Sequence, residues 1–399
     1  MTEDIFVVGM GIVTSLGVGK EATLRALRRE VPCIDAPRFL QTSHTDIPVG
    51  EVPYNDSQLA GMLGSDVPKT ITRTTLLGRV ALKEALEEAR LDCIKPRRVA
   101  FISGTTVGGM EKSEQYYTDF ISNMDHSEYI ALHDCGACTD MIAGEFSGKF
   151  DIMTTISTAC SSAANAVILG ANLIRMGMVD AAVVGGSECL SRFHLNGFNS
   201  LMILDKEHCR PFDKNRAGLN LGEGAGYLVL ESSQSAMQRG GNTLCRLAGY
   251  GNACDAYHQT ATSPNGEGPY LAMIKALESA GLTPQDIDYV NAHGTGTPNN
   301  DLSEGIAMSR VFGDHIPPVS STKSFTGHTT SASGGIESVI SILALLNNYV
   351  PASLGCNTRI EGLGFLPSNR GISSVELKNV LTNSFGFGGN DSSIIFSKY

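Results

Sequence analysis

The chain has no tryptophan, and aromatic residues make up only 7% of it. Charged residues are also sparse, at 18%. That is too few for a solvated disordered chain, and it fits a large buried interior. Lysine and arginine are outnumbered, 30 against 41 acids, for a formal net charge of −11. A chain this acidic is not built for nonspecific nucleic-acid binding, and an acidic protein partner would need a local basic patch. No apolar run reaches the eighteen residues that mark a membrane span. The opening Met1-Thr2-Glu3-Asp4 lacks the basic stretch of a secretory leader. The ten cysteines follow no repeating framework. In a chain of this length that predicts reduced thiols in the cytoplasm rather than disulfides.

What is present is glycine and aliphatic residues: 44 glycines and 42% hydrophobic residues in 399 positions, enough for more than one core. Strand-like runs alternate with helical patterns, which predicts an α/β fold. The runs begin at Ile5, Val99, Ile152, Ala181 and Tyr227. The segments around 108–135 and 205–222 read as loops or excursions. An internal echo links ALKEALEEARL, from Ala81, with AMIKALESAGL, from Ala272. About eight of twenty-six positions match at one fixed offset, which reads either as chance likeness of two amphipathic helices or as a duplicated half. A duplication would place the join in SSQSAMQRGGN, dividing the chain into 1–235 and 236–399.

Four stretches suggest chemistry. In STACSSAAN, Cys160 stands between a short apolar run, 152–156, and a helix apolar on nearly all sides. Such a helix must be buried. A cysteine at its mouth is either a core thiol or a nucleophile activated by free N–H groups. In VNAHGTGTP, His293 follows a buried strand and precedes glycines that let a ligand approach the backbone. It reads as a capping or a functional histidine. In SSTKSFTGH, Lys323 and His328 precede a second apolar helix that carries Glu337. A buried carboxylate there needs a partner, and Lys323 is the candidate. In NSFGFGGN, phenylalanines alternate with glycines, as a flexible gate or a structural turn would.

Two weaker patterns point elsewhere. His133-x-Cys135-x-x-Cys138 lacks a second ligand pair at zinc spacing, so no metal is expected. Val7-Val8-Gly9-Met10-Gly11 opens like a dinucleotide fingerprint but lacks its third glycine and downstream acid.

Taken in order, VVGMGIVTSLG, TACSSAAN, RPFDKNRAGLNLGEGAGYLVLE, NAHGTGTP, STKSFTGH and NSFGFGG resemble the β-ketoacyl-acyl carrier protein synthases, I/II branch, of the thiolase superfamily. The resemblance runs nearly end to end. It implies a layered αβαβα fold from two similar halves, and a 3-oxoacyl-carrier protein synthase in fatty acid or polyene/polyketide-like biosynthesis. It implies Cys160 as the acylated nucleophile, and His293 and His328 as the pair acting on a malonyl thioester. Lys323 would organise the site with Glu337, and Asp301 and Glu304 would support it. The backbone N–H groups of Cys160 and Phe387 would form the oxyanion hole. Thr295 and Thr297 would bind the phosphopantetheine arm, with Phe198, Phe387 and Thr105 on the substrate side. The implied partners are an acyl carrier protein and a second subunit, identical or a chain-length partner. No organic cofactor is implied.

The chain departs from that family where Gly104-Thr105-Thr106-Val107 replaces a bulkier gate, and where Phe198-Asn199-Ser200-Leu201-Met202 lacks an arginine. Lys69, Arg73 and Arg79 are the remaining basic candidates for carrier docking. A thiolase would need a second cysteine in the SFGFGGND loop, and a type III synthase would have asparagine in place of His328. A noncatalytic chain-length partner would lack the nucleophile.

Overall fold

The computed structural model describes residues 4–64, 67–90, 98–240 and 242–399. Met1, Thr2 and Glu3, positions 91–97 of the internal echo and Gly241 of the join lie outside the described residues. Ten strands form one hydrogen-bonded path: β1 (Ile5–Thr14), β2 (Val99–Gly104), β3 (Ile152–Ile156), β4 (Ala181–Glu188), β5 (Gly224–Ser232), β6 (Cys245–Cys254), β7 (Tyr289–Asn291), β8 (Val319–Ser320), β9 (Asn379–Gly386) and β10 (Asn390–Ser397). The helices that matter here are α1 (Arg73–Ala89), α2 (Met110–Ser122), α3 (Ser162–Arg175), α4 (Arg192–Ser200), α5 (Glu267–Ala280), α6 (Pro298–Phe312) and α7 (Ser333–Asn347).

The spatial order is β3-β2-β4-β5-β1-β6-β10-β9-β7-β8. Read outward from the β1–β6 seam, each side repeats the other. Two antiparallel contacts come first, β1–β5–β4 and β6–β10–β9, and then two parallel ones, β4–β2–β3 and β9–β7–β8. The seam is narrow, pairing Phe6 with Arg246 and Val7 with Cys245.

Side-chain alternation along the strands makes the layers. In β1, Ile5, Val7, Met10 and Ile12 face the central core with Val167 and Ile174 of α3 and Ile336 and Ile340 of α7. Phe6, Val8 and Val13 face outward onto α1. On the other side, Met273 and Leu277 of α5 cover Val290 and Ile395. The result is α1, sheet, α3 with α7, sheet, α5: five layers, αβαβα. The central helices are apolar on most faces because both sheets press on them. In α7, Ile336, Val339, Ile340, Ile342, Leu343 and Leu345 are all buried. At roughly 2 kcal/mol each, they outweigh the cost of burying Glu337 in the same helix. Leu346, on the same apolar pattern, is exposed at the helix end.

The glycines of VGMG prove to be helix seats. A Cβ at Gly9 would lie 2.4 Å from the Ala85 carbonyl oxygen, and one at Gly11 would lie 2.0 Å from that of Ala81. The same notch recurs in β6, where a Cβ at Gly249 would meet the Ala276 oxygen at 2.4 Å and one at Gly251 the Ala272 oxygen at 2.2 Å. Ala81 and Ala85 occupy the echo positions of Ala272 and Ala276. The repeat therefore preserves a packing device: small helix residues against strand glycines.

The 108–135 segment, read as a loop, contains α2. No residue of that helix is buried, although Met110, Tyr117 and Ile121 recur along it at helical spacing. The nine described cysteines are unpaired. Among the described residues, no helix is long and apolar enough to cross a membrane.

Candidate active site

The nucleophile segment is a tight turn between β3 and α3. Ala159 takes a left-handed φ of 52°, which turns the chain so that Cys160 sits just before the helix start. The small neighbours hold this strained turn. Ser162 Oγ donates to the Ala159 carbonyl at 2.6 Å and accepts from Thr158 N at 2.9 Å. Ser161 Oγ donates to the Thr158 carbonyl at 2.8 Å. Asn165 Nδ2 reaches Thr158 Oγ1 at 2.9 Å and Asn390 Oδ1 at 2.6 Å. That last contact ties the turn to the glycine-rich hairpin of β9 and β10.

Cys160 is buried, with Sγ 3.1 Å from His328 Nε2. Burial pushes its thiol up to about 12, while the Lys323 charge and a hydrogen bond from the Phe387 amide pull the other way. The Phe387 N–H thus points at the sulphur, where an oxyanion would form on an attached acyl group.

The histidines come from the other half of the sheet. His328 follows the short helix Lys323–Thr326, with Nδ1 3.1 Å from Ser333 Oγ at the start of α7. His293 leaves the end of β7, with Nδ1 3.3 Å from Lys323 Nζ. An ammonium only donates, so Nδ1 accepts and Nε2 carries the proton. Burial first, then the Lys323 charge, hold both imidazoles well below the usual range. Both are neutral at neutral pH. Their rings meet edge to face at 5.2 Å.

Lys323 Nζ also bonds Glu337 Oε1, completing a Glu337–Lys323–His293 chain. Burial raises Glu337 to about 7 against the opposing lysine. Two acids of α6 bind the His293 turn through its backbone. Glu304 accepts from His293 N and Gly294 N, each at 2.8 Å, and from Asn383 Nδ2 at 3.0 Å. Asp301 accepts from Thr295 N at 3.0 Å and from Phe212 N at 2.7 Å. Spacing of three places both acids on one helix face.

Cys160, His293 and His328 open onto one cavity of about 390 Å³. Thr295 and Thr297 line it, as do Phe198 and Phe387, whose rings stack at 5.8 Å. Thr105 does not line it. It is fully buried, and its hydroxyl donates to Glu188 at 2.8 Å. Arg73 and Arg79 are likewise no free docking charges. Both are buried, and Arg73 is held by Glu223 at 2.6 Å and Asp56 at 2.8 Å. Lys69 is exposed. At the tempting metal motif, His133 Nδ1 bonds Ser113 Oγ, and the Cys138 thiol lies against Thr75 Oγ1. Among the described residues, no group of three His, Cys, Asp or Glu side chains is placed to hold a metal.

Sequence reasoning missed Ser333, Asn390 and Glu188. The one available signal was Glu188 itself, an acid closing the apolar run Ala181-Ala182-Val183-Val184-Gly185-Gly186-Ser187, where a carboxylate must find partners.

Known proteins match this arrangement over its whole length. The N-terminal domain model of beta-ketoacyl synthase matches residues 2–236, and the C-terminal domain model matches residues 244–357. A 3-oxoacyl-[acyl-carrier-protein] synthase 2 of Staphylococcus aureus (strain COL) is 31% identical over 412 residues, covering 99% of this chain and 98% of the relative. That of Coxiella burnetii is 32% identical over 414 residues, covering 99% and 98%. Among solved structures, the ishigamide ketosynthase/chain length factor superposes with a TM-score of 0.92 at 29% identity, covering 100% of both chains. A ketosynthase in complex with its chain length factor from Xenorhabdus doucetiae gives a TM-score of 0.84 at 30% identity, covering 100% of this chain and 98% of that one. The paired histidines facing a buried cysteine thus stand in a fold and a sequence of one kind, and the chain belongs to the β-ketoacyl synthase family of condensing enzymes.

Proposed function

We propose that this chain is a 3-oxoacyl-acyl carrier protein synthase in which Cys160 carries the growing acyl group. The observation that carries the reading is Cys160 Sγ 3.1 Å from His328 Nε2, with the Phe387 N–H on the same sulphur. In the first half-reaction the sulphur attacks a carrier thioester. The oxyanion forms against the Cys160 and Phe387 amides. The carrier thiolate leaves and takes up the proton that Cys160 gave to His328. In the second, a malonyl thioester loses carbon dioxide, and the C–C electron pair moves into an enolate. Two neutral imidazoles suit that oxyanion, with His293 Nε2–H as one donor and His328 as the other in the tautomer that carries its proton on Nε2 and accepts from Ser333 Oγ at Nδ1. The carbanion then attacks the acyl carbonyl, Cys160 leaves as a thiolate and takes up a proton from solvent, and a 3-oxoacyl thioester results.

Lys323 keeps His293 in the donating tautomer, and Glu337, Asp301 and Glu304 hold the frame. Thr295 and Thr297 receive the phosphopantetheine arm, and Phe198 and Phe387 gate the acyl side. The reaction draws on carrier-bound thioesters and uses no separate cofactor, in the cytoplasm. Units 1–235 and 236–399 supply the nucleophile and the histidines respectively.

A second subunit belongs to this proposal. Strand β3 lies at the sheet edge and is half-buried throughout, and Tyr117, Ile121, Met124 and Ile130 are exposed around α2. These features support a dimer, either with a copy or with a chain-length partner. A purely noncatalytic role would leave the assembled Cys–His–His geometry unused. The test is product formation from malonyl- and acyl-carrier protein. Wild type is expected to release carbon dioxide and yield a 3-oxoacyl product, and His293→Ala to yield neither. Equal product from His293→Ala would overturn the assignment.

A further inference from the structure

Glu188 ends β4, is fully buried, and takes no part in the chemistry above. Its two oxygens gather donors from two separate segments. Oε1 accepts from Thr105 Oγ1 at 2.8 Å and Val107 N at 3.3 Å. Oε2 accepts from Thr106 N at 2.8 Å, from Thr106 Oγ1 at 2.5 Å and from Ser331 Oγ. Every partner is a donor, which is what a buried carboxylate requires.

The first segment is the turn after β2. Gly104, the last residue of β2 just before it, is wedged against the start of α3, where a Cβ would lie 2.6 Å from Ala163 N. That contact is three residues from Cys160. The second segment is the turn between His328 and α7. It is strained, with Thr330 at φ 46°, and three residues on it presents Ser333 to His328 Nδ1. One carboxylate therefore links the wall behind the cysteine turn to the turn that orients His328. Glu304 does the comparable work on the far side, where it accepts two backbone N–H groups of the His293 turn and the Asn383 amide.

We propose that Glu188 is a positioning residue that sets the placement of Cys160 relative to His328 by clamping the 105–107 and 329–331 turns together. The inference rests on the reading of Cys160 as the acylated nucleophile. Glu188 also has an electrostatic signature that a mere brace would lack. Its charge and that of Glu337 oppose a Cys160 thiolate, while Lys323 favours one. His194 of α4, together with Cys135 and Cys138 of the helix Cys135–Ala143, feels the same carboxylate.

The test uses the full chain and two small probes. Acylation of Cys160 by a hexanoyl N-acetylcysteamine thioester is followed by intact mass and peptide mapping. Alkylation by iodoacetamide is followed across neutral to alkaline pH. In Glu188→Gln the amide oxygen serves one set of donors and the NH₂ confronts the other. Acylation is expected to fall roughly 100-fold, the scale of a small misplacement at a reacting centre. The alkylation midpoint is expected to move to lower pH, because the opposing charge is gone. In Ser331→Ala, which keeps the charge and loses one arm, acylation should fall about tenfold with the midpoint unmoved. This variant decides the matter if Glu188→Gln does not fold. A folded Glu188→Gln with wild-type acylation and an unmoved midpoint overturns the proposal, as does wild-type acylation in Ser331→Ala. Wild-type protein that takes no acyl group at Cys160 overturns both the nucleophile reading and this inference. An acylated wild type beside an unaffected Glu188→Gln overturns the Glu188 role alone.

Discussion

The two sides of the sheet have one strand order and opposite chemistry. On the first side, β3 leads to α3 through a short turn, residues 157–161, that presents a single thiol. On the second, β8 leads to α7 through residues 321–332, long enough to contain a four-residue helix, a lysine and a histidine. The first turn is held by small hydroxyl and amide side chains, the second by a buried ion pair. Shared topology thus fixes where the two loops meet, and loop length with residue type decides what each contributes. This is function grafted on a repeated scaffold.

The comparison can be broken most severely at the thiol. Cys160→Ala removes the thiol proposed to carry the acyl chain. Condensation should fall by at least about 10³-fold with stability near wild type, as read by product assay beside thermal unfolding. Next comes the ion pair of the second side. Lys323→Ala leaves Glu337 buried without its partner and should cost about 3–5 kcal/mol by denaturant unfolding. Lys323→Met with Glu337→Leu removes both charges and should recover much of that loss while staying inactive. A double variant no more stable than the single one would refute the ion-pair account.

A pH test sharpens the electrostatic contrast. Burial raises Glu304 to about 7 from an ordinary 4.5, so the folded state binds its proton more tightly than the unfolded chain does. Its contribution to stability is full below the unfolded value and is lost as pH rises through about 7. Glu304→Gln should flatten the stability–pH curve between those values, and an unchanged slope would place the dependence elsewhere. The smallest expected effect probes the repeat itself. Gly11→Ala and Gly251→Ala each force a Cβ into a helix carbonyl, at 2.0 and 2.2 Å. Each should cost about 1–3 kcal/mol, by similar amounts if the two seats are equivalent.

Much of this was legible in the residues. Val99–Gly104 and Ile152–Ile156 are strands with the bounds their runs suggest, the first because a buried parallel strand is uninterrupted in sequence, the second as a half-buried edge strand of β-branched and apolar residues. The apolar helices after Cys160 and Lys323 are buried, and Lys323 does meet Glu337. The strand of the NAHGTGTP stretch stops at Asn291, earlier than its apolar run suggests, since His293 already turns away under the pull of Glu304. Thr105 was read from its place beside the gate, and its neighbour across 83 residues, Glu188, claims its hydroxyl. Such long-range partners leave no local spacing. Helix α2 went unread for another reason: Met110, Tyr117 and Ile121 recur at helical spacing, but they stand among polar residues and pack into no core of the chain.

The central claim is that Cys160 carries the acyl group in a site completed by the second side's histidines. The most direct measurement is intact-protein mass after incubation with acyl-carrier proteins of several chain lengths, comparing wild type with Cys160→Ala. The account predicts an acyl mass on wild type, mapped to Cys160, and none on the variant. An equal adduct on folded Cys160→Ala, or no adduct on wild type with any donor, would contradict it.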